Sequence, residues 1–379
     1  MKKALFIFLI CVHANIGKTQ TIHTDNQLKT NIDTAVHIAI IPFMNEASRV
    51  GLSIGIYKNG KVYTYNYGSL QKGKQTLPVK STIFEIGSIT KTFTGILLAQ
   101  AVYDKKVSLE DDIRKYLEGN YPNLEYKGHP ITLFHLVNHC SGLPYFLPNK
   151  PEILNTQNYD SLISNIEKSQ QHYSKKDFFE DLHKVQLDTI PGFKSRYSNS
   201  AVQLLGFILE RVYKMPYDKL LQKYITIPLH MNSTSLTYLK LNDTNLAKGY
   251  NSKGELMSYM PELVGAAGGI SSSVNDMLNY IQFHLNENNK LVALSHKITW
   301  GNLDDYAIGM YWDENKTSGG YRRLLHSGGT FGFSSYCVIY PDRNTGIVLL
   351  SNEADQNTQG TLEEAANKLF EALDKTPGR

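Results

Sequence analysis

Apolar and polar positions alternate in three textures along the chain. From about residue 25 to 46 apolar residues recur at helical spacing. Residues 51–57 and 61–68 read as two strands joined through Lys58-Asn59-Gly60, an Asn-Gly hairpin signal. From Ser88 the texture turns helical, with Ile89, Phe93, Ile96 and Leu97 on one face. Ser108-Leu-Glu-Asp111 reads as a helix start before Ile113 and Leu117, and residues 131–140 as a short helix closed by Ser141-Gly142-Leu143-Pro144. Residues 145–173 are polar without clear periodicity and read as a loop at a site mouth or an insertion. Helical patterns return over 175–182, 201–213 and 217–224. The glycine-rich turn 265–269 leads to a helix with Val274, Met277, Leu278, Ile281 and Leu285 on one face. Residues 306–312, 321–326, 334–340 and 346–351 read as strands, with 341–345 a tight connection. The end is an amphipathic helix carrying Leu362, Leu369 and Phe370, for which Thr361 and Glu364 offer a capping box.

Strands therefore lie at both ends and helices between them. The economical architecture is α+β: an antiparallel sheet flanked by terminal helices, with a mostly helical region inserted. Residues 21–87 and 291–379 supply the sheet region, residues 88–290 the helical region, and together they form one catalytic domain. A site between the two regions sits in a cleft.

With 379 residues, 41% hydrophobic and 20% charged, the chain is ordinary for a globular protein. Its net charge of +4 is spread without a dense basic run, which argues against nucleic-acid binding. Lys2 and Lys3 precede an apolar run, 4–12, too short to span a bilayer. This reads as a signal peptide ending near Gln20, so the expected location is secreted or periplasmic, without stable membrane insertion. Beyond Cys11, Cys140 and Cys337 are either one disulfide or two buried thiols.

Ser88 and Lys91 stand three apart where an extended run gives way to a helix, so both lie on one face. A serine hydroxyl becomes a good nucleophile only when its proton is taken, and burial lowers the pKa of an amine placed to take it. The helix start adds free N–H groups for an oxyanion. A second Ser-x-x-Lys, Ser69 to Lys72, lies among Gly and Lys with no helix behind it and reads as solvated loop.

Tyr197-Ser198-Asn199 precedes a helix. A phenol near a lysine ammonium has its pKa pulled down toward base strength, and an asparagine amide can hold both a lysine and a substrate carbonyl. Two further Tyr-x-Asn triplets, at Tyr57 and Tyr121, fall in a hairpin turn and a proline-containing loop. In His326-Ser327-Gly328-Gly329, the glycines let backbone approach a ligand, and Gly329 N–H is a candidate second oxyanion donor opposite that of Ser88. A strand follows, so this is not a phosphate loop.

With all three motifs in order, the chain resembles the serine β-lactamase and penicillin-binding family, closest in pattern to class C β-lactamases, DD-carboxypeptidases and their esterase and D-aminopeptidase relatives. The resemblance runs from the residue 51 hairpin to the last helix; 139–144 and 268–273 also match connecting segments of the family. It implies a β-lactamase/transpeptidase-like fold and a serine hydrolase that needs no cofactor. It further implies Ser88 as acylated nucleophile, Lys91 and Tyr197 sharing proton transfer, Asn199, His326 and Gly328 orienting a small-molecule or peptide substrate, and Ser88 and Gly329 N–H as oxyanion hole.

One departure stands out. His326 falls where the lactamases carry lysine. With an ordinary pKa near roughly 6.5, a histidine is mostly neutral at pH 7. Carboxylate recognition is then weaker, and uncharged esters, amides or D-aminoacyl peptides become plausible substrates beside β-lactams and D-Ala-D-Ala peptides. A penicillin-binding sensor that stays acylated would use the same three residues. His135 and His139 lie four apart, but Leu136 stands where a zinc hydrolase of the His-Glu-x-x-His type needs glutamate.

Overall fold

The computed structural model describes residues 22–236 and 245–375. The signal peptide expected at 1–20 lies outside the described residues.

The Asn-Gly signal folds as read. Strands β1 (Gly51–Lys58) and β2 (Lys61–Gly68) pair antiparallel from Lys58↔Lys61, with Asn59 at φ 49° and Gly60 at φ 84°. Both turn residues need the left-handed region, which Asn and Gly reach at least cost. Six further strands complete the main sheet: β3 (Trp300–Gly301), β4 (Ala307–Gly309), β5 (Trp312–Lys316), β6 (Arg322–Gly329), β7 (Ser334–Tyr340) and β8 (Thr345–Ser351). The order is β2-β1-β8-β7-β6-β5-β4-β3, antiparallel throughout. The expected strand 306–312 splits into β4 and the start of β5, because Met310 and Tyr311 turn at positive φ.

Both faces of the sheet are covered, so β7 and β8 are buried at every position. Leu52, Ile54, Ile56, Val338 and Leu349 pack against helices α1 (Asn31–Met44) and α6 (Thr358–Asp374). The alternate residues Cys337, Ile339, Val348 and Leu350 join the core of the helical region. That core is built on α2 (Thr90–Tyr103), α4 (Asn199–Tyr213) and α5 (Val274–Leu285). Helix α2 is buried almost all round, as a central helix should be. On the outer layer, the buried Arg49 side chain pairs with Glu353 and Asp355 and donates to Thr358 Oγ1, tying the end of α1 to the start of α6.

Several boundaries differ from the pattern. Helix α6 starts three residues before Thr361, with Asn357 at its cap, so the Thr361–Glu364 box does not form; Thr361 instead bonds back to the Thr358 carbonyl. The start expected at Ser108–Asp111 yields a 3₁₀ turn, Ile113–Tyr116, capped by Asp112. The unreadable stretch 145–173 contains the helix Pro151–Leu154 and a full helix, α3 (Tyr159–Gln170), capped by Asn158. Cys140 and Cys337 are both buried free thiols, so the disulfide alternative falls away. Among the described residues no helix is long and apolar enough to cross a membrane.

Candidate active site

Ser88 lies in one 3₁₀ turn, Gly87–Ile89, that runs directly into α2. The turn is pressed against the end of β6. Gly87 has φ +50°, and a Cβ there would stand 2.7 Å from Gly329 N; a Cβ on Gly328 would stand 2.1 Å from the Ile86 carbonyl oxygen. Ser335 Oγ donates to that same carbonyl at 2.8 Å. Glycines at these positions let the Ser88 peptide lie against Gly329. Gly328, expected to touch substrate, instead faces Ile86 and serves this close packing.

Two proton-carrying groups reach Ser88 Oγ. Lys91 Nζ is 2.9 Å away and also donates to the Ala267 carbonyl at 2.6 Å. The Tyr197 hydroxyl donates to Ser88 Oγ at 2.7 Å. Lys91 is fully buried, and burial without a carboxylate partner holds its pKa well below the ordinary lysine value. The hold expected between Asn199 and Lys91 is not made: the Ala267 carbonyl does that work.

Tyr197 departs from expectation in its proton affinity. Burial pushes the phenol well above its ordinary value, by more than its hydrogen bond with Ser88 lowers it. The ring keeps 37% exposure toward the cleft, so water moderates that rise. Burial therefore favours the uncharged form of both groups, phenol beside amine.

His139 holds Tyr197 in place, a role the sequence did not reveal. The rings lie 4.5 Å apart, and His139 Nδ1 accepts from the Ser198 backbone N–H at 3.2 Å. The His139 carbonyl accepts from Arg196 N–H at 2.6 Å. Ser198 then caps α4 through Ala201 N–H, which fixes where Asn199 begins the helix. His135 does different work. Its Nδ1 accepts from Thr132 N–H at 3.0 Å and caps its own short helix.

His326 is buried with Nδ1 2.6 Å from the Ser327 carbonyl. That contact needs Nδ1–H and leaves Nε2 as an acceptor. Burial above all lowers the ring's pKa to about 3, not the ordinary value expected from sequence. The imidazole is neutral across physiological pH.

Ser88, Tyr197, Asn199, His326 and Gly329 line one cleft of about 400 Å³. Helix α3 supplies its apolar wall through Leu162, Ile163 and Ile166. The polarity of the region hid this wall, because α3 shows only one stripe to the cleft. Asp313 on β5 and Gln359 at the start of α6 also reach the cleft and went unnoticed in the sequence. The one signal for Asp313 is an acidic pair, Asp313-Glu314, inside a strand, where acidic residues are disfavoured. Among the described residues, no group of three or more His, Cys, Asp or Glu could hold a metal ion.

The sequence pattern of the family described as Beta-lactamase matches residues 38–371. The chain belongs to the beta-lactamase family. Protein flp of Staphylococcus aureus (strain N315) is 29% identical over 317 residues, covering 80% of this chain and 59% of that protein. The chain thus spans under two thirds of the length of that relative. The Beta-lactamase of Escherichia coli (strain K12) is 25% identical over 382 residues, covering 90% of this chain and 94% of the relative. A crystal structure of a Beta-Lactamase/D-Alanine Carboxypeptidase from Pseudomonas syringae superposes with a TM-score of 0.75 at 23% identity, covering 92% of this chain and all of that one. The fold is the one expected, α+β and β-lactamase/transpeptidase-like. Membership of this family supports a serine acyl-transfer reading of the site.

Proposed function

We propose that this chain is an exported serine hydrolase that acylates Ser88 and then releases the acyl group to water, acting on esters and amides whose binding does not depend on a carboxylate. The observation that carries the reading is the convergence of Lys91 Nζ and the Tyr197 hydroxyl on Ser88 Oγ, at 2.9 and 2.7 Å.

In this mechanism the uncharged Lys91 amine takes the Ser88 proton as Oγ attacks the substrate carbonyl carbon. The carbonyl oxygen gains the negative charge and is met by the N–H groups of Ser88 and Gly329. As the bond to the leaving group breaks, Tyr197 hands its proton to the departing oxygen or nitrogen and regains one from Lys91. Water then enters, the same pair removes its proton, and Ser88 leaves as the restored hydroxyl. Asn199 orients the substrate carbonyl.

The preference over β-lactams and D-Ala-D-Ala peptides rests on charge. Those substrates carry a carboxylate, and His326 is neutral where a cation would be needed. Hydrolysis of a neutral aryl ester and of a penicillin, compared from pH 5 to 8, tests this. The ester is expected to dominate throughout; a penicillin that dominates at pH 8 overturns the preference. A mature N-terminus near residue 21 in protein from the periplasm or medium tests export.

A further inference from the structure

Among the described residues lining the cleft, none is Lys or Arg, and a single one, Asp313, is a carboxylic acid. Lys91 lies beneath Ser88 and is committed to Ser88 and Ala267. Asp313 sits on β5 directly opposite Leu325, so its strand position neighbours that of His326 on β6. One of its oxygens accepts from the Tyr306 hydroxyl. No cation pairs with it among the described residues, and its second oxygen has no donor there. A half-buried carboxylate in a cleft walled by Leu162, Ile163 and Ile166 is costly unless a positive group joins it. The neighbouring His326 presents a bare Nε2 and so also asks for a donor.

We propose that Asp313 is a specificity-determining residue that selects acyl substrates bearing an ammonium group, such as amino-acid amides or esters and peptides with a free amine. The inference rests on the acyl-enzyme reading of Ser88 and adds the charge of its substrate. Burial raises the Asp313 pKa to about 6, as expected of a carboxylate lacking its counter-ion, and an arriving ammonium would lower it again. A substrate carboxylate would meet repulsion from the same group.

The test is protection of Ser88 from a neutral fluorophosphonate at pH 7. Phenylalaninamide of each hand is compared with 2-methyl-3-phenylpropanamide, in which methyl replaces ammonium at nearly equal shape. In the wild type the ammonium compound is expected to protect at a concentration about 10-fold lower or more, the range of one charge-assisted hydrogen bond. Asp313→Asn is expected to bring the two protective concentrations together, and Asp313→Glu to restore part of the difference. Raising salt shrinks the wild-type preference. Continued labelling of Ser88 in Asp313→Asn shows that the site is assembled. Equal protection in the wild type, or a preference that survives in Asp313→Asn, overturns the assignment of Asp313 while leaving the acyl-enzyme reading intact. Failure of the probe to label wild-type Ser88 overturns that reading and this inference with it.

Discussion

The Lys91 amine lies 4.8 Å from the centre of the Tyr197 ring, over its face. One side chain comes from α2 and the other from the loop before α4, far apart in sequence, yet both end within hydrogen-bonding distance of Ser88 Oγ. An amine and a phenol whose uncharged forms are favoured by burial can pass one proton between the attacking and leaving atoms without a buried charge pair.

Lys91→Met should lower kcat/KM by about 10²–10⁴, the usual contribution of a positioned general base. Because burial holds the Lys91 pKa well below its ordinary value, wild-type activity is predicted to persist at pH values well under that value and to fall only where the amine gains its proton. The residual activity of Lys91→Met should lack that acid limb. A variant profile that keeps the limb would assign it to another group.

His139 acts through Tyr197 and the Ser198 backbone. His139→Ala is expected to lower kcat by roughly 10- to 100-fold, as misplacement of a catalytic group does, with KM changed much less. Equal changes in kcat and KM would point to substrate contact instead.

Glu85, three residues before Ser88, accepts from Met260 N–H at 2.6 Å, and burial raises its pKa to about 7. An acid whose folded pKa is raised holds its proton longer in the folded state. Its contribution is intact below the unfolded value of about 4.5 and is lost as pH climbs toward 7. Glu85→Gln keeps the acceptor and removes the titration. Relative to wild type, the variant should gain stability between pH 5 and 8, by about 3 kcal/mol at most, since each pKa unit is worth about 1.4 kcal/mol. Urea midpoints at the two pH values read this out. A difference between variant and wild type that is independent of pH would contradict it.

Arg49→Met should destabilise the fold by about 3–5 kcal/mol, because it strands two carboxylates, Glu353 and Asp355, at a buried junction. Chemical denaturation measures the loss. Adding Glu353→Gln should recover part of it, since the variant pair leaves one fewer uncompensated charge.

The nucleophile turn was legible because its signals are local: Ser88, Lys91 and the apolar face of α2 lie within one helix and its start. The Asn59-Gly60 hairpin was legible for the same reason. The sheet's membership, a hairpin joined to C-terminal strands, followed from strands at both chain ends, whereas its strand order did not. What could not be read depends on distant packing. The proton affinities of Tyr197 and His326 follow from burial, which no motif encodes. The role of His139 requires the loop at residues 139–145 to meet the start of α4. Helix α3 escaped notice because it is short of apolar residues, having only one stripe to cover. The start of α6 moved to Thr358 because the buried Arg49 cluster fixes that end more strongly than the local Thr361–Glu364 pair.

The most direct test of the acyl-enzyme account is intact-mass spectrometry of acid-quenched protein after addition of an aryl ester or a penicillin, with the adduct mapped to a peptide. The account predicts an acyl mass on the wild type, located on Ser88, that decays with turnover and is absent from Ser88→Ala. An adduct that survives in Ser88→Ala, or that maps to another residue, would contradict it.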